Sequence, residues 1–248
     1  MEYLGLRTAL IDYLEASGYI EHPKVKNALL EIPRHRFVEG DPVEVYSDQA
    51  LVLKSKGNKV ISTISQPAIV AHMLGELEVN TGDKILEIGT GLGYNAALLS
   101  SLTGEEGMVV TVEFDQELAS RAAINLVNYT NVQSIPGDGR VGFRNLAPYT
   151  KIISTVTAKD VYPEWQKQLS TGGRLLLPLE IVPGITRLLK LDKNGSEFTG
   201  SFGWPVNFVE MTGEVEQIQS KDPDDILTFV QKQSLSVREK ESLLFYCL

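Results

Sequence analysis

The segment DKILEIGTGLGYNAALL, residues 83–99, restricts the fold more than any other part of the chain. Ile85, Leu86 and Ile88 form an apolar run of strand length, and Ala96, Ala97, Leu98 and Leu99 form one suited to a helix. Gly89, Gly91 and Gly93 stand between them. A strand that turns through glycines into a helix opens a parallel α/β sheet, and its glycines let a ligand approach the main chain closely. Dinucleotide-binding turns follow G-x-G-x-x-G, which here would put the third glycine at position 94. Tyr94 stands there, and the spacing is G-x-G-x-G.

The rest of the pattern extends this unit. Strands are predicted at 84–88, 109–113, 132–135, 152–156 and 174–178, and helices at about 94–102, 116–129 and 163–169. Continuous apolar strands alternating with helices imply an α/β, Rossmann-like fold, a mostly parallel sheet with helices on both faces. Asn194-Gly195 lies between two strand-like runs, so an antiparallel C-terminal hairpin should close the sheet. Upstream, Leu6, Leu10, Ile11 and Leu14 recur at helical spacing before Gly18, and a second helix is expected at 24–31. Residues 34–57 lose that period and read as extended or irregular. A helix over 66–77 follows, with Ser65 able to cap it and Pro67 in its first turn. The expected organisation is an N-terminal helical and substrate-cleft segment (1–65), a nucleotide-binding domain (66–212) and a C-terminal appendage (213–248).

Composition narrows the setting. The chain has 248 residues, 43% hydrophobic and 22% charged, which suits a globular protein. Its net charge of −9 argues against nucleic acid as the main partner, since phosphate contacts call for a basic surface. The only cysteine, Cys247, excludes an intramolecular disulfide and suits a reducing cytoplasm. The acid-bearing N-terminus does not read as a signal peptide, and no apolar run reaches the roughly 20 residues of a membrane span. A soluble, cytoplasmic protein without membrane contact is expected. His22, His35 and His72 lack metal-ligand spacing, so no metal is expected, and Trp165 and Trp204 read as core or interface anchors.

Three features converge on the ends of successive strands, where open α/β sheets bind ligands. The first is the turn from Gly89 through Thr90 and Gly91 to Gly93, preceded by Glu87 within the strand. The second is Glu113, roughly 20 residues on, where a carboxylate can accept both ribose hydroxyls; Asp115 beside it reads as a helix cap. The third is Asp138-Gly139, either a simple turn or a carboxylate that accepts from an adenine amino group. The glycine spacing with these acids points to S-adenosyl-L-methionine and a class I methyltransferase fold.

From about residue 32 to 179 the chain resembles the protein-L-isoaspartate O-methyltransferase family. The resemblance is carried by IPRHRFV, VYSDQALVLK, TISQPAIVAHML, GDKILEIGTGLGYNAALL, GDGRVGF, APYTKIISTV and LSTGGRLLLPL, in the family's order. TISQP is the most specific of these. The resemblance implies that Ser65 is the active-site residue and that Glu87, Gly89, Gly91, Glu113 and Asp138 hold the cofactor. Thr63, Ile64, Gln66 and Thr155 are candidates for the substrate cleft, with Ser62 in reserve.

The implied substrate is a peptide or protein bearing isoaspartate or aspartate, whose methyl ester then closes to a succinimide. A carboxylate is already ionised near neutral pH, so its methylation needs alignment more than a base. A serine hydroxyl is suited to holding that carboxylate. The chain departs from the family in GNKVISTISQP and STVTAKDVYPEW, which leaves open a branch that methylates aspartate in a ribosomal precursor peptide to form an aspartimide. Methylation of a small molecule or RNA, and a methyltransferase-like binding module without catalysis, are the further alternatives.

Overall fold

The computed structural model describes residues 2–212; the appendage expected at 213–248, with Cys247, lies outside the described residues. Helix α1 (Glu2–Ala16) ends where Gly18 adopts a φ of +78°, and Ile11 and Leu14 on its inner face are buried. Helix α2 (Pro23–Glu31) begins with proline, whose missing N–H costs nothing there, and buries Val25, Ala28 and Leu29. The stretch expected to be extended or irregular is only partly so. Arg34–Arg36 form a 3-10 turn, and Asp41 caps the short helix α3 (Pro42–Val45) by accepting from the Val43 and Glu44 amides. Strand β1 (Leu51–Lys56) then pairs antiparallel with β2 (Lys59–Ile64), a hairpin that hydrophobic patterning alone does not reveal. Gly57, at φ +60°, with Asn58 supplies its turn.

Helix α4 (Pro67–Leu77) corrects one expectation. Its cap position is Gln66, not Ser65, and no side chain at that position bonds back to the helix. The free amide of Ala68 instead donates to Asp48 Oδ1, at 2.8 Å, from a separate stretch of chain. An orphan N–H at a helix start needs an acceptor, but the acceptor can come from elsewhere in the fold.

The main sheet runs β5-β4-β3-β6-β7-β8-β9. Its parallel part is β3 (Lys84–Ile88), β4 (Met108–Glu113), β5 (Val132–Pro136), β6 (Tyr149–Ser154) and the start of β7 (Leu169–Val182). The antiparallel end consists of β7, β8 (Ile185–Asn194) and β9 (Glu197–Pro205), as Asn194-Gly195 implied. Helices α5 (Tyr94–Thr103), α6 (Gln116–Asn125) and α7 (Pro163–Gln168) connect the strands. Alternate residues of a strand face opposite sides, and both sides are covered. Ile85, Val109 and Ile153 join α1, α2, α4 and α5 in one core, while Leu86, Val110 and Ile152 join Trp165 of α7 in the other.

Two boundaries depart usefully from expectation. Helix α6 stops at Asn125, short of 129, and β6 lies at 149–154 rather than 152–156. Beyond Ser154 the chain leaves the strand, and the Thr155 amide donates to Ile88 O. Thr155 is thereby turned toward the glycine loop. Among the described residues, no helix is long and apolar enough to cross a membrane.

Candidate active site

The glycine loop is held from beneath and from the side. Gly89 sits at φ +94°, and a Cβ there would lie 2.6 Å from Thr155 Oγ1, so both the angle and the space require glycine. Thr155 Oγ1 donates to the carbonyls of Gly89 (2.6 Å) and Ile88 (3.1 Å). Glu87, expected among the cofactor contacts, lies beneath the loop and does not line the cleft. Its carboxylate accepts from Asn95 Nδ2 at 2.8 Å and from the Thr111 hydroxyl, which meets the Thr90 hydroxyl at 2.7 Å. Complete burial pushes the Glu87 carboxyl up to about 7, against those two hydrogen bonds.

Glu113 closes the end of β4 beside the loop. Its Oε2 accepts from the Gly91 amide at 2.8 Å and its Oε1 from the Asp115 amide at 3.0 Å. Burial raises this carboxyl above its ordinary value despite these bonds. A carboxylate offers about four acceptor positions, which leaves room here for a ligand hydroxyl. Asp115 caps α6 as expected, accepting from the Glu117 and Leu118 amides.

The third strand end differs from expectation. The Asp138 carboxylate turns onto Arg140, accepting from Nε at 2.9 Å and from Nη2 at 2.5 Å, and it does not line the cleft. Gly139 lines the cleft in its place, its carbonyl fixed by Trp165 Nε1 at 2.8 Å. A guanidinium two residues away outcompetes an open crevice for this carboxylate because it forms a charge-assisted fork.

On the opposite wall β2 and its C-terminal end bring Ser62, Thr63, Ile64 and Ser65 into the same cleft as Gly89, Thr90, Gly91, Glu113 and Thr155. Gly93 stands outside it as the first position before α5, packed against Leu126. Gln66 also stands outside, donating through Nε2 to Asp48 Oδ2 at 3.0 Å. The cleft opens to solvent, and the space between its walls, open solvent included, is about 1020 Å³.

Ser65 is positioned through its backbone. Arg34, 1% exposed, donates from Nη1 to Ser65 O at 2.9 Å and from Nη2 to Gln49 O at 3.3 Å. The Ser65 hydroxyl has no hydrogen-bond partner among the described residues, which leaves it available to the cleft. Several lining residues were missed by sequence reasoning. Leu53 and Ile61 arrive with the hairpin, whose Gly57-Asn58 turn was the available signal, and Phe114 follows Glu113 directly at the strand end. Residues 208–212 carry no local signal. They reach the cleft because the Thr157 amide donates to Val209 O at 2.8 Å and the Met211 amide to Thr157 O at 3.0 Å.

The family model for Protein-L-isoaspartate(D-aspartate) O-methyltransferase matches residues 6–216. The chain belongs to this family. A protein-L-isoaspartate O-methyltransferase from Ignicoccus hospitalis is 40% identical over 208 residues, 83% of this chain and 96% of its own. One from Methanococcus aeolicus is 37% identical over 83% of this chain and 94% of its own. A solved structure titled protein-L-isoaspartate O-methyltransferase superimposes with a TM-score of 0.78 at 32% identity, covering 84% of this chain and 66% of that one. A second, titled a putative protein-L-isoaspartate O-methyltransferase from Plasmodium falciparum in complex with S-adenosyl-L-homocysteine, shares the fold at a TM-score of 0.71 and 20% identity.

Within this isoaspartyl methyltransferase-family fold, ion pairs fasten the β1–β2 hairpin across the cleft. Lys54 Nζ lies 2.7 Å from Asp115 and 2.8 Å from Glu117 at the start of α6. Lys59 Nζ lies 3.2 Å from Glu210 of the returning segment, both well exposed. Such pairs are worth little individually, but they join two walls that are far apart in sequence.

Proposed function

We propose that this protein is an S-adenosylmethionine-dependent carboxyl O-methyltransferase acting on an isoaspartyl or aspartyl residue of a peptide or protein, in a reducing cytoplasm. One observation carries the reading: Ser65, whose hydroxyl has no partner among the described residues, lines the same cleft as the glycine loop and Glu113. Membership of the family supplies the reaction class.

The cleft suits the cofactor. Gly89 leaves no room for a side chain between loop and Thr155, so the main chain itself forms the floor. Glu113 is placed to accept from a ribose diol, and Phe114, Val112 and Leu118 offer apolar surface for a flat base. S-adenosyl-L-methionine, when bound, supplies a methyl group activated by a sulfonium. The chain's own residues do the rest. Arg34 holds the Ser65 main chain, and the Ser65 hydroxyl donates to one oxygen of the substrate carboxylate, aiming the other. Leu53, Ile61 and Phe208 exclude water around the reacting groups. The carboxylate enters already ionised, so no group here needs to remove a proton.

The test is incubation with radiolabelled S-adenosylmethionine and paired peptides that differ only in an isoaspartyl or aspartyl residue. Base-labile label in the isoaspartyl peptide is the expected result. Label only in the aspartyl peptide would move the reading to precursor-peptide tailoring. Label that survives mild base would move it to another acceptor, and none in either peptide would overturn it.

A further inference from the structure

Behind the active site, α1, α2 and the start of α4 enclose a second, small crevice lined by Arg7, Leu10, Leu14, Leu29, Arg34 and Pro67, among others, with room for a single water-sized occupant. Two features of it are unusual. The Nε of Arg7 and the Nε of Arg34 are both buried and have no hydrogen-bond partner among the described residues. Among the described residues neither arginine forms an ion pair with a carboxylate: Arg34 otherwise donates there only to the carbonyls of Ser65, Gln49 and Ile64. The acid whose charge acts on Arg34 is Asp48, and its oxygens are committed to Gln66 Nε2 and the Ala68 amide. The Tyr46 hydroxyl, on the same wall, is paired with His35 Nδ1 at 2.7 Å.

Buried donors are rarely left unmatched, and a buried cation needs a counter-charge. A water molecule could accept from both Nε–H groups, but it would bring no charge to set against Arg34, a buried guanidinium whose hydrogen-bond partners are neutral carbonyls. We propose that this crevice is a binding site for one small inorganic anion of halide size, held between the Nε–H groups of Arg7 and Arg34. Its place gives it a consequence for the active site. Arg34 carries the clamp on Ser65 O, and Tyr94 lines both this crevice and the cofactor cleft, with the Arg34 guanidinium 5.5 Å from its ring centre. An anion here would fix the arginine that fixes the serine.

The test uses bromide as the probe and needs no catalytic readout, so its failure is distinct from failure of the proposed methyl transfer. Crystals of the full chain soaked in sodium bromide should give an anomalous difference peak in contact with both Nε atoms. Peaks elsewhere only, meaning an adventitious ion only, or a water without anomalous signal in the crevice, would overturn the site. In solution, replacing gluconate by chloride at constant ionic strength should raise the melting temperature of the wild type. A shift of about 3–6 °C is expected at ten times the dissociation constant. Arg7→Met, a change on a partly exposed helix face, should abolish that shift. An equal shift in Arg7→Met would count against the site.

Discussion

Ser65 is free for chemistry because other residues perform the structural work its position invites. With α4 capped by Asp48 and the local main chain held by Arg34, its side chain has no partner of its own among the described residues. In the proposed role Ser65→Ala should lower kcat about 10- to 150-fold, the worth of a hydrogen bond to a charged group. Stability should move by no more than about 0.5 kcal/mol, and affinity for S-adenosylhomocysteine by calorimetry should hold. Equal losses in turnover and stability would show that the hydroxyl serves the fold. Glu113→Ala should act on the other side of the cleft, weakening S-adenosylhomocysteine by about 1.5–3 kcal/mol in the same measurement. Glu87 makes a prediction about pH. Its folded-state value of about 7 lies above its ordinary 4.5, so between those pH values the folded chain holds a proton that the unfolded chain has lost. Its contribution to stability is therefore present at low pH and lost as pH rises through that window. The unfolding free energy of Glu87→Gln, from denaturant titration, should gain on that of wild type from pH 4.5 to 7, by on the order of 3 kcal/mol. A constant difference across the window would contradict the assignment.

At the scale of elements, α4 and the β1–β2 hairpin differ in how local their causes are. The apolar spacing of α4 and Pro67 announce the helix, but its start is secured by an acid some twenty positions upstream. Asp48→Ala should cost about 0.5–2 kcal/mol in denaturant unfolding, as loss of a helix cap does, and Asp48→Asn should recover much of it. Recovery would separate the hydrogen bond from mere bulk. For the hairpin, β1 and β2 alternate weakly and stand apart from the main sheet, so their burial pattern carries little information. The turn pair Gly57-Asn58 is the better marker, because positive φ at a two-residue connection is a steric demand.

At the scale of the molecule, the cleft is formed by distant segments: the glycine loop, the ends of β4 and β6 with Glu113 and Thr155, Gly139, the hairpin with its Ser65 end, and residues 208–212. Lys54 links the hairpin to the start of α6, just beyond Glu113, through Asp115 and the exposed Glu117. Lys54→Met should therefore quicken S-adenosylhomocysteine release in stopped-flow by about 2- to 5-fold, a surface-pair effect, and remove its dependence on salt. Unchanged release with unchanged salt dependence would mean that the hairpin does not cover the cofactor.

The sequence by itself determined the parallel sheet, the glycine loop, the carboxylate at the end of β4 and the antiparallel close at Asn194-Gly195, because each follows from local periodicity or from a steric requirement of glycine. It also marked TISQP, where Ser65 stands. Only the tertiary structure decided which side chains face the cleft. Asp138 turned to Arg140, Glu87 went beneath the loop and Asp48 took over a cap, since a polar group bonds to the best partner that packing brings near, whatever its distance along the chain.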